Sequence, residues 1–145
     1  MSSLLGNNIL VGASEAGKPP YVIENSLRFN GTGDGTGGDY LSRTTSSAGS
    51  GSWTLSTWIK LSNLSDGTWS SGIFGAHSGS TATQIYLDSN DKIRWYENGG
   101  DINATARVFR DPASWMHLVF QKNSSTSIKI YVNGELADSD TSGVP

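Results

Sequence analysis

The 145-residue sequence predicts an all-β fold, a two-layer antiparallel sandwich, and three observations carry that prediction. Apolar residues alternate with polar ones over short runs, the period of strands, and no stretch repeats at the helical spacing. The runs are separated by turn residues, with 18 Gly and many Ser, Thr and Asn but only 4 Pro. Ser114 to Leu136 (SWMHLVFQKNSSTSIKIYVNGEL) begins with a run that is largely apolar on both faces. Trp115, His117 and Val119 fall on one face and Met116, Leu118 and Phe120 on the other, the pattern of a central strand covered on both sides. Trp115 is therefore expected in the core, where truncation to Ala costs about 3–5 kcal/mol.

Taken in order, Met1 to Glu24 is a compositional zone of its own. Leu4, Leu5, Ile9, Leu10 and Val11 are more apolar than a solvated tail, and Lys18-Pro19-Pro20 favours an extended path. The expectation is an arm that contacts another subunit or protein. Residues 25–145 are the domain. Ser26 to Asn30 is expected as the first strand, with Leu27 and Phe29 inward, followed by a Gly-rich loop into Tyr40-Leu41-Ser42. That loop resembles a phosphate cradle, but neither a Lys-Ser/Thr pair nor a helix follows it.

Ser52 to Leu61 is expected as a strand with Trp53, Leu55, Thr57 and Ile59 on one face and Trp58 on the other. Gly72 to Gly75 is a short apolar run. Thr83 to Asp88 and Lys92 to Glu97 form a hairpin across Ser89-Asn90-Asp91, with Ile85, Leu87, Ile93 and Trp95 sharing a face. A turn at Asn98-Gly99-Gly100-Asp101 leads to Ile102 through Phe109, and Arg110-Asp111-Pro112 turns the chain into the central strand. Ile128, Ile130 and Val132 then alternate with polar residues, and Asn133-Gly134 supplies the positive φ angles of a tight hairpin. With roughly seven or eight strands, a single sheet would leave one face too apolar, so two layers are expected.

Composition narrows the function. The formal charge of −3 and the lack of a basic run argue against nucleic acid, and the absence of Cys removes disulfides, thiolate chemistry and cysteine-held zinc. The N-terminus lacks a basic n-region and a long apolar run, so neither a signal peptide nor a membrane span is expected. The sequons at Asn30, Asn63, Asn103 and Asn123 are accordingly read as chance. For catalysis only His77 and His117 are available, and His117 is expected to be a hydrogen-bonded structural residue. With 4 Glu and no carboxylate pattern of a jelly-roll glycanase, no catalytic residue and no enzymatic activity are expected. Sugar binding needs an aromatic platform and amide or carboxylate hydrogen-bonders. Trp69, Tyr96, Asn98 and Asp101 are the candidates, with Asp88 nearby and Trp95 assigned to the core. Asp34 and Asp39 are candidate calcium ligands, although a plain surface turn is the favoured reading of that loop.

The order SLRFNGTGDGTGGDYLSR, SWTLSTWIKL, QIYLDSNDKIRWY, RDPASWMHLVFQ and IKIYVNGELA resembles the laminin-G-like, concanavalin A-like jelly-roll family from Ser26 to Ala137. Trp58, Trp115, His117, Tyr131, Asn133 and Gly134 fall on matching positions. More narrowly, LLGNNILVGAS, YLSRTTSSAGS and FRDPASW resemble the form of this domain in virion proteins of tailed bacteriophages, marine ones in particular. The resemblance implies a non-enzymatic structural protein of the virion, in a tail fibre or appendage or as a head decoration. It implies an arm that anchors to other virion proteins and assembly as a homo-oligomer, a trimer favoured. The alternative it implies is a carbohydrate-binding module that recognises host-surface glycans. Members of the family usually continue past the NG hairpin, so either the chain is a fragment or a partner's strand completes the sheet.

Overall fold

The structure, a computed structural model, describes residues 25–30, 38–45, 51–64, 71–79, 81–124 and 126–141. It contains eight strands: β1 (Trp53–Lys60), β2 (Ser71–Ser78), β3 (Thr81–Leu87), β4 (Ile93–Glu97), β5 (Gly100–Ala104), β6 (Trp115–Asn123), β7 (Ser127–Val132) and β8 (Glu135–Asp140). They form two antiparallel four-stranded sheets, ordered β1-β6-β7-β8 and β2-β3-β4-β5. The second sheet is a plain meander. The first is not, because β1 lies beside β6 and the intervening strands make the other layer. The sandwich predicted from the sequence is thus present, without a helix among the described residues.

Turn chemistry fixes the hairpins. Asn133 (φ 52°) and Gly134 (φ 84°) join β7 to β8, and Asn98 (φ 49°) and Gly99 (φ 101°) join β4 to β5. Two consecutive positive φ angles match the right-handed twist of the strands they connect, and Asn and Gly tolerate them best. The β3–β4 turn is tied by Asp88, whose Oδ1 accepts from the backbone N–H groups of Asn90 (2.8 Å) and Lys92 (3.0 Å).

Alternation along each strand then sends one set of side chains between the sheets. From β3 and β4 come Ile85, Leu87, Ile93 and Trp95; from β6 and β7 come Met116, Leu118, Phe120, Ile128, Ile130 and Val132. Trp95, fully buried, packs its ring against Trp53 at 4.8 Å and edge-on to Phe120 at 6.1 Å, joining the two layers. One ion pair crosses the same interior, between Lys122 of β6 and Glu97 of β4, both less than a tenth exposed.

Three expectations need correction. Ser26–Asn30 forms no strand, and Leu27 and Phe29 are exposed. Alternation says which face would be buried, not whether a neighbouring strand arrives to cover it. Among the described residues that segment is tied to Asp39, through Asp39 N–H to Asn30 O (3.1 Å) and Asn30 N–H to Asp39 Oδ2 (3.1 Å). β6 is central within its sheet but buried on one face only. Trp115 is 45% exposed, and His117 and Val119 are half-buried on the outer surface. The apolar run at Gly72–Gly75 is longer than expected, becoming β2 with a bulge between Gly72 and Phe74 that lets both Ile73 and Phe74 reach core residues.

Trp95→Ala should therefore lower the unfolding free energy by about 3–5 kcal/mol in urea titrations, while Trp115→Ala should lower it by only about 1 kcal/mol. Equal losses would contradict this division between inner and outer rings. Lys122→Met leaves the Glu97 carboxylate buried without its cation, and the same titration should report a loss of about 3–5 kcal/mol.

Candidate functional site

The crossover from β5 to β6, residues 105–114, caps one end of the sandwich, and the sequence pins it at three places. Thr105, fully buried, exchanges backbone bonding with Ile93: its N–H donates to Ile93 O (3.0 Å) and its Oγ1 accepts from Ile93 N–H (3.1 Å). The same hydroxyl donates to Arg107 O at 3.0 Å. Phe109, buried, donates its N–H to Asp91 O (2.8 Å), and Arg110 Nε donates to Asp91 Oδ2 (2.7 Å). Asp91 is itself buried and holds a positive φ of 60° in the β3–β4 turn. The loop is therefore a rigid ledge rather than a loose connection.

Between this ledge and the ends of β6 and β7 lies a cleft of about 240 Å³. Met116 and Val132 form its apolar floor, and Arg107, Arg110, Ser114, Trp115 and Asn133 supply its polar and aromatic wall. Asn133 is held on both sides: its N–H donates to His117 O (2.8 Å) and its Oδ1 accepts from His117 N–H (2.9 Å). Those bonds identify Oδ1 and leave the side-chain Nδ2 as the remaining donor. The guanidinium of Arg107 lies 5.3 Å over the Phe109 ring, a cation–π contact.

From Trp115 the aromatic surface continues along the outer face of the first sheet. Trp58 stands opposite His117 in the β1–β6 register and stacks on it, with centroids 4.9 Å apart and planes 26° from parallel. Ser56 Oγ and His117 Nε2 are 2.9 Å apart. His117 is thus the hydrogen-bonded structural residue expected, but on the outside, where it steadies Trp58. Both tryptophans remain about half exposed. Sequence reasoning missed this surface because it assigned Trp115 and His117 to a covered face. The signal was present, however: Trp58 alternates out of phase with the apolar set of β1.

Of the residues singled out from the sequence, Tyr96, Asn98 and Asp101 belong to the other sheet. Tyr96 and Asp101 are register partners across β4 and β5, and Asn98 sits in the adjacent turn, at the end opposite the cleft. Asp101 is already engaged, accepting from Tyr86 OH (2.7 Å) at Oδ1 and from Arg94 Nη1 (2.8 Å) at Oδ2. Arg94 Nε also donates to Asp88 Oδ2 at 2.6 Å, so Asp88 belongs to a brace across β3, β4 and β5. Asp39 bonds Asn30, and among the described residues no three His, Asp or Glu side chains gather to hold a metal. Trp69, Asp34 and the arm residues Leu4, Leu5, Ile9, Leu10 and Val11 lie outside the described residues.

The brace sets two titrations. Burial pushes the Asp88 carboxyl up, but the Arg94 hydrogen bond and the Lys92 and Asn90 amides outweigh it and hold its pKa below the ordinary value. Burial and the bonded, negatively charged Asp101 push the Tyr86 phenol up to about 12. A depressed carboxyl stabilises the fold above its unfolded pKa and loses that contribution as pH falls through the folded value. A raised phenol does the reverse: its contribution is complete below about pH 10 and is lost as pH rises through about 12. Asp88→Asn should accordingly weaken the acid limb of a thermal-stability profile below about pH 4, and Tyr86→Phe should flatten the alkaline limb. Unchanged limbs would mean that the brace does not couple to folding.

A laminin-G family model of the concanavalin A-like lectin/glucanases superfamily matches residues 34–145. No curated protein and no solved structure matches the chain. The match spans most of the sequence and includes every strand described above, each in the sandwich arrangement that the name implies. By this match and by its two-sheet sandwich, the chain belongs to the concanavalin A-like lectin/glucanase superfamily as a laminin-G-like domain.

Proposed function

We propose that this chain is a non-enzymatic structural component of a tailed-phage virion whose sandwich contacts host-surface glycans, with residues 1–24 as the anchoring arm. The observation that carries the glycan contact is the outward row of Trp58, His117 and Trp115, continuous with a cleft that offers amide, hydroxyl and guanidinium donors. Exposed rings on a rigid sheet present a flat apolar face to the C–H side of a pyranose, and nearby donors read its hydroxyls. Superfamily membership is compatible with this role, as it is with a purely structural one.

The virion placement rests on the phage-like phrases LLGNNILVGAS, YLSRTTSSAGS and FRDPASW and on the apolar arm. It is also favoured by the exposure of Leu27, Phe29, Tyr40 and Leu41, which sit together in the sequence ahead of β1. Large apolar side chains left in water at that density mark surfaces for assembly, and a homotrimer is the assembly proposed. The carboxylates most deeply placed, Glu97, Asp88 and Asp91, are each bonded to a cation and serve the fold, which supports the non-enzymatic reading.

Two variants, one substitution and one deletion, separate binding from assembly. Trp58→Ala should reduce retention on a glycan array at least tenfold with an unchanged melting profile. Deletion of residues 1–24 should leave the sandwich folded and glycan-competent but prevent its incorporation into particles. Wild-type retention by the first variant would remove the outer face as the binding surface; normal incorporation of the second would remove the arm as the anchor.

A further inference from the structure

The cleft under the crossover has a charge as well as a shape, and the charge narrows the ligand. Asp91 is buried and takes the Nε of Arg110 at 2.7 Å, whereas the Arg110 side chain is 62% exposed. Among the described residues, a guanidinium anchored in this way through Nε keeps its two terminal amino groups for an incoming acceptor. Arg107 is oriented by the Phe109 ring and by the Thr105 bond to its carbonyl, and it makes no ion pair among the described residues.

The acidic residue in the lining, Asp111, is occupied locally. It accepts from Ser114 Oγ at 2.7 Å and from Ala113 N–H at 2.8 Å, and Lys60 lies close enough to act on it electrostatically. Beside these charges stands Trp115, half exposed at the mouth. A chain of net charge −3 thus carries, in a cleft of about 240 Å³, two guanidiniums next to an available indole face. That volume suits one ring rather than a long chain segment, and planar guanidiniums match the two oxygens of a carboxylate.

We infer that the cleft is a subsite for a carboxylate-bearing pyranose, a uronic acid residue of an acidic glycan: its ring stacks on Trp115 and its carboxylate is held by Arg107 and Arg110. This inference rests on the glycan-binding reading above and adds the class of sugar. Trp58 and His117 extend the contact to the neighbouring, charge-indifferent residue of the same glycan.

The test is calorimetric titration of the full chain with tetramers of galacturonate, mannuronate and glucuronate, each beside its fully methyl-esterified form, which keeps the rings and removes the charge. At least one acid tetramer should bind tenfold or more tightly than its ester. Arg107→Gln, a substitution of an exposed side chain, should abolish that difference, lowering the affinity for the acid at least tenfold more than the affinity for the ester. Arg110→Lys, which keeps a cation beside Asp91, should retain part of it, and Trp115→Ala should weaken acid and ester alike. Esters that bind as well as acids, with Trp58→Ala reducing both, would overturn the acidic subsite and leave the glycan-binding reading standing. Binding of neither form, together with no retention on a glycan array, would overturn both. Equal acid preference in wild type and Arg107→Gln would also overturn the assignment of the cleft.

Discussion

The packing of Trp95 between Trp53 and Phe120 is the contact on which the rest of the sandwich depends. It is contributed by the middle of one sheet and received by two strands of the other, so it exists only when both layers are in register. An indole of this size removes roughly 200 Å² from water, or about 5 kcal/mol at the usual coefficient, a substantial share of the net stability of a domain this small. The apolar residues around it, Ile85, Ile93, Leu118, Ile128 and Ile130, are fully buried because that ring sets the spacing at which they meet. At one end of the interior between the sheets the Lys122–Glu97 pair replaces apolar packing. A buried pair of this kind adds little net stability, but it penalises any slip that would leave one charge alone.

At the opposite end the same economy of residues builds the ledge. The short β3–β4 turn holds both Asp88 and Asp91. Asp88 closes the turn and reaches Arg94 on the outer face, while Asp91 reaches Arg110 of the crossover. One turn thereby braces one sheet and positions the segment that links it to the other. The outer surfaces differ in consequence. The second sheet is covered by a satisfied polar network of Tyr86, Arg94 and Asp101, whereas the first carries Trp58 stacked on His117 and leaves its aromatic faces available. A rigid scaffold with one closed face and one open face is suited to binding without catalysis, the role proposed for it.

Much of the fold was legible from the order of residues. Alternation located β1, β3, β4, β6 and β7, and the two Asn-Gly turns follow from a local backbone requirement that only a few residue types meet. These features depend on neighbours in sequence, and no distant contact can easily override them. The candidate site was legible only in part. Tyr96, Asn98 and Asp101 do lie close together, as their spacing around one turn implies, but the two oxygens of Asp101 are spoken for by Tyr86 and Arg94, which alternation alone does not reveal.

Residue order alone was enough to place β1, β3, β4, β6 and β7, the Asn-Gly turns and the identity of the side chains that share a face, because period-two geometry is a property of each strand alone. Tertiary structure decided which of those faces is covered. Trp115 and Val119 are as apolar as many core positions, yet with His117 they lie outside because the second sheet packs on the Met116, Leu118 and Phe120 side. Leu27 and Phe29 alternate correctly and stay exposed, since no described strand pairs with them. Burial is a relation between elements, and the cleft arises in the same way: Arg107, Arg110, Trp115 and Asn133 come from three separate segments and meet only when the crossover is pinned across the end of the sandwich.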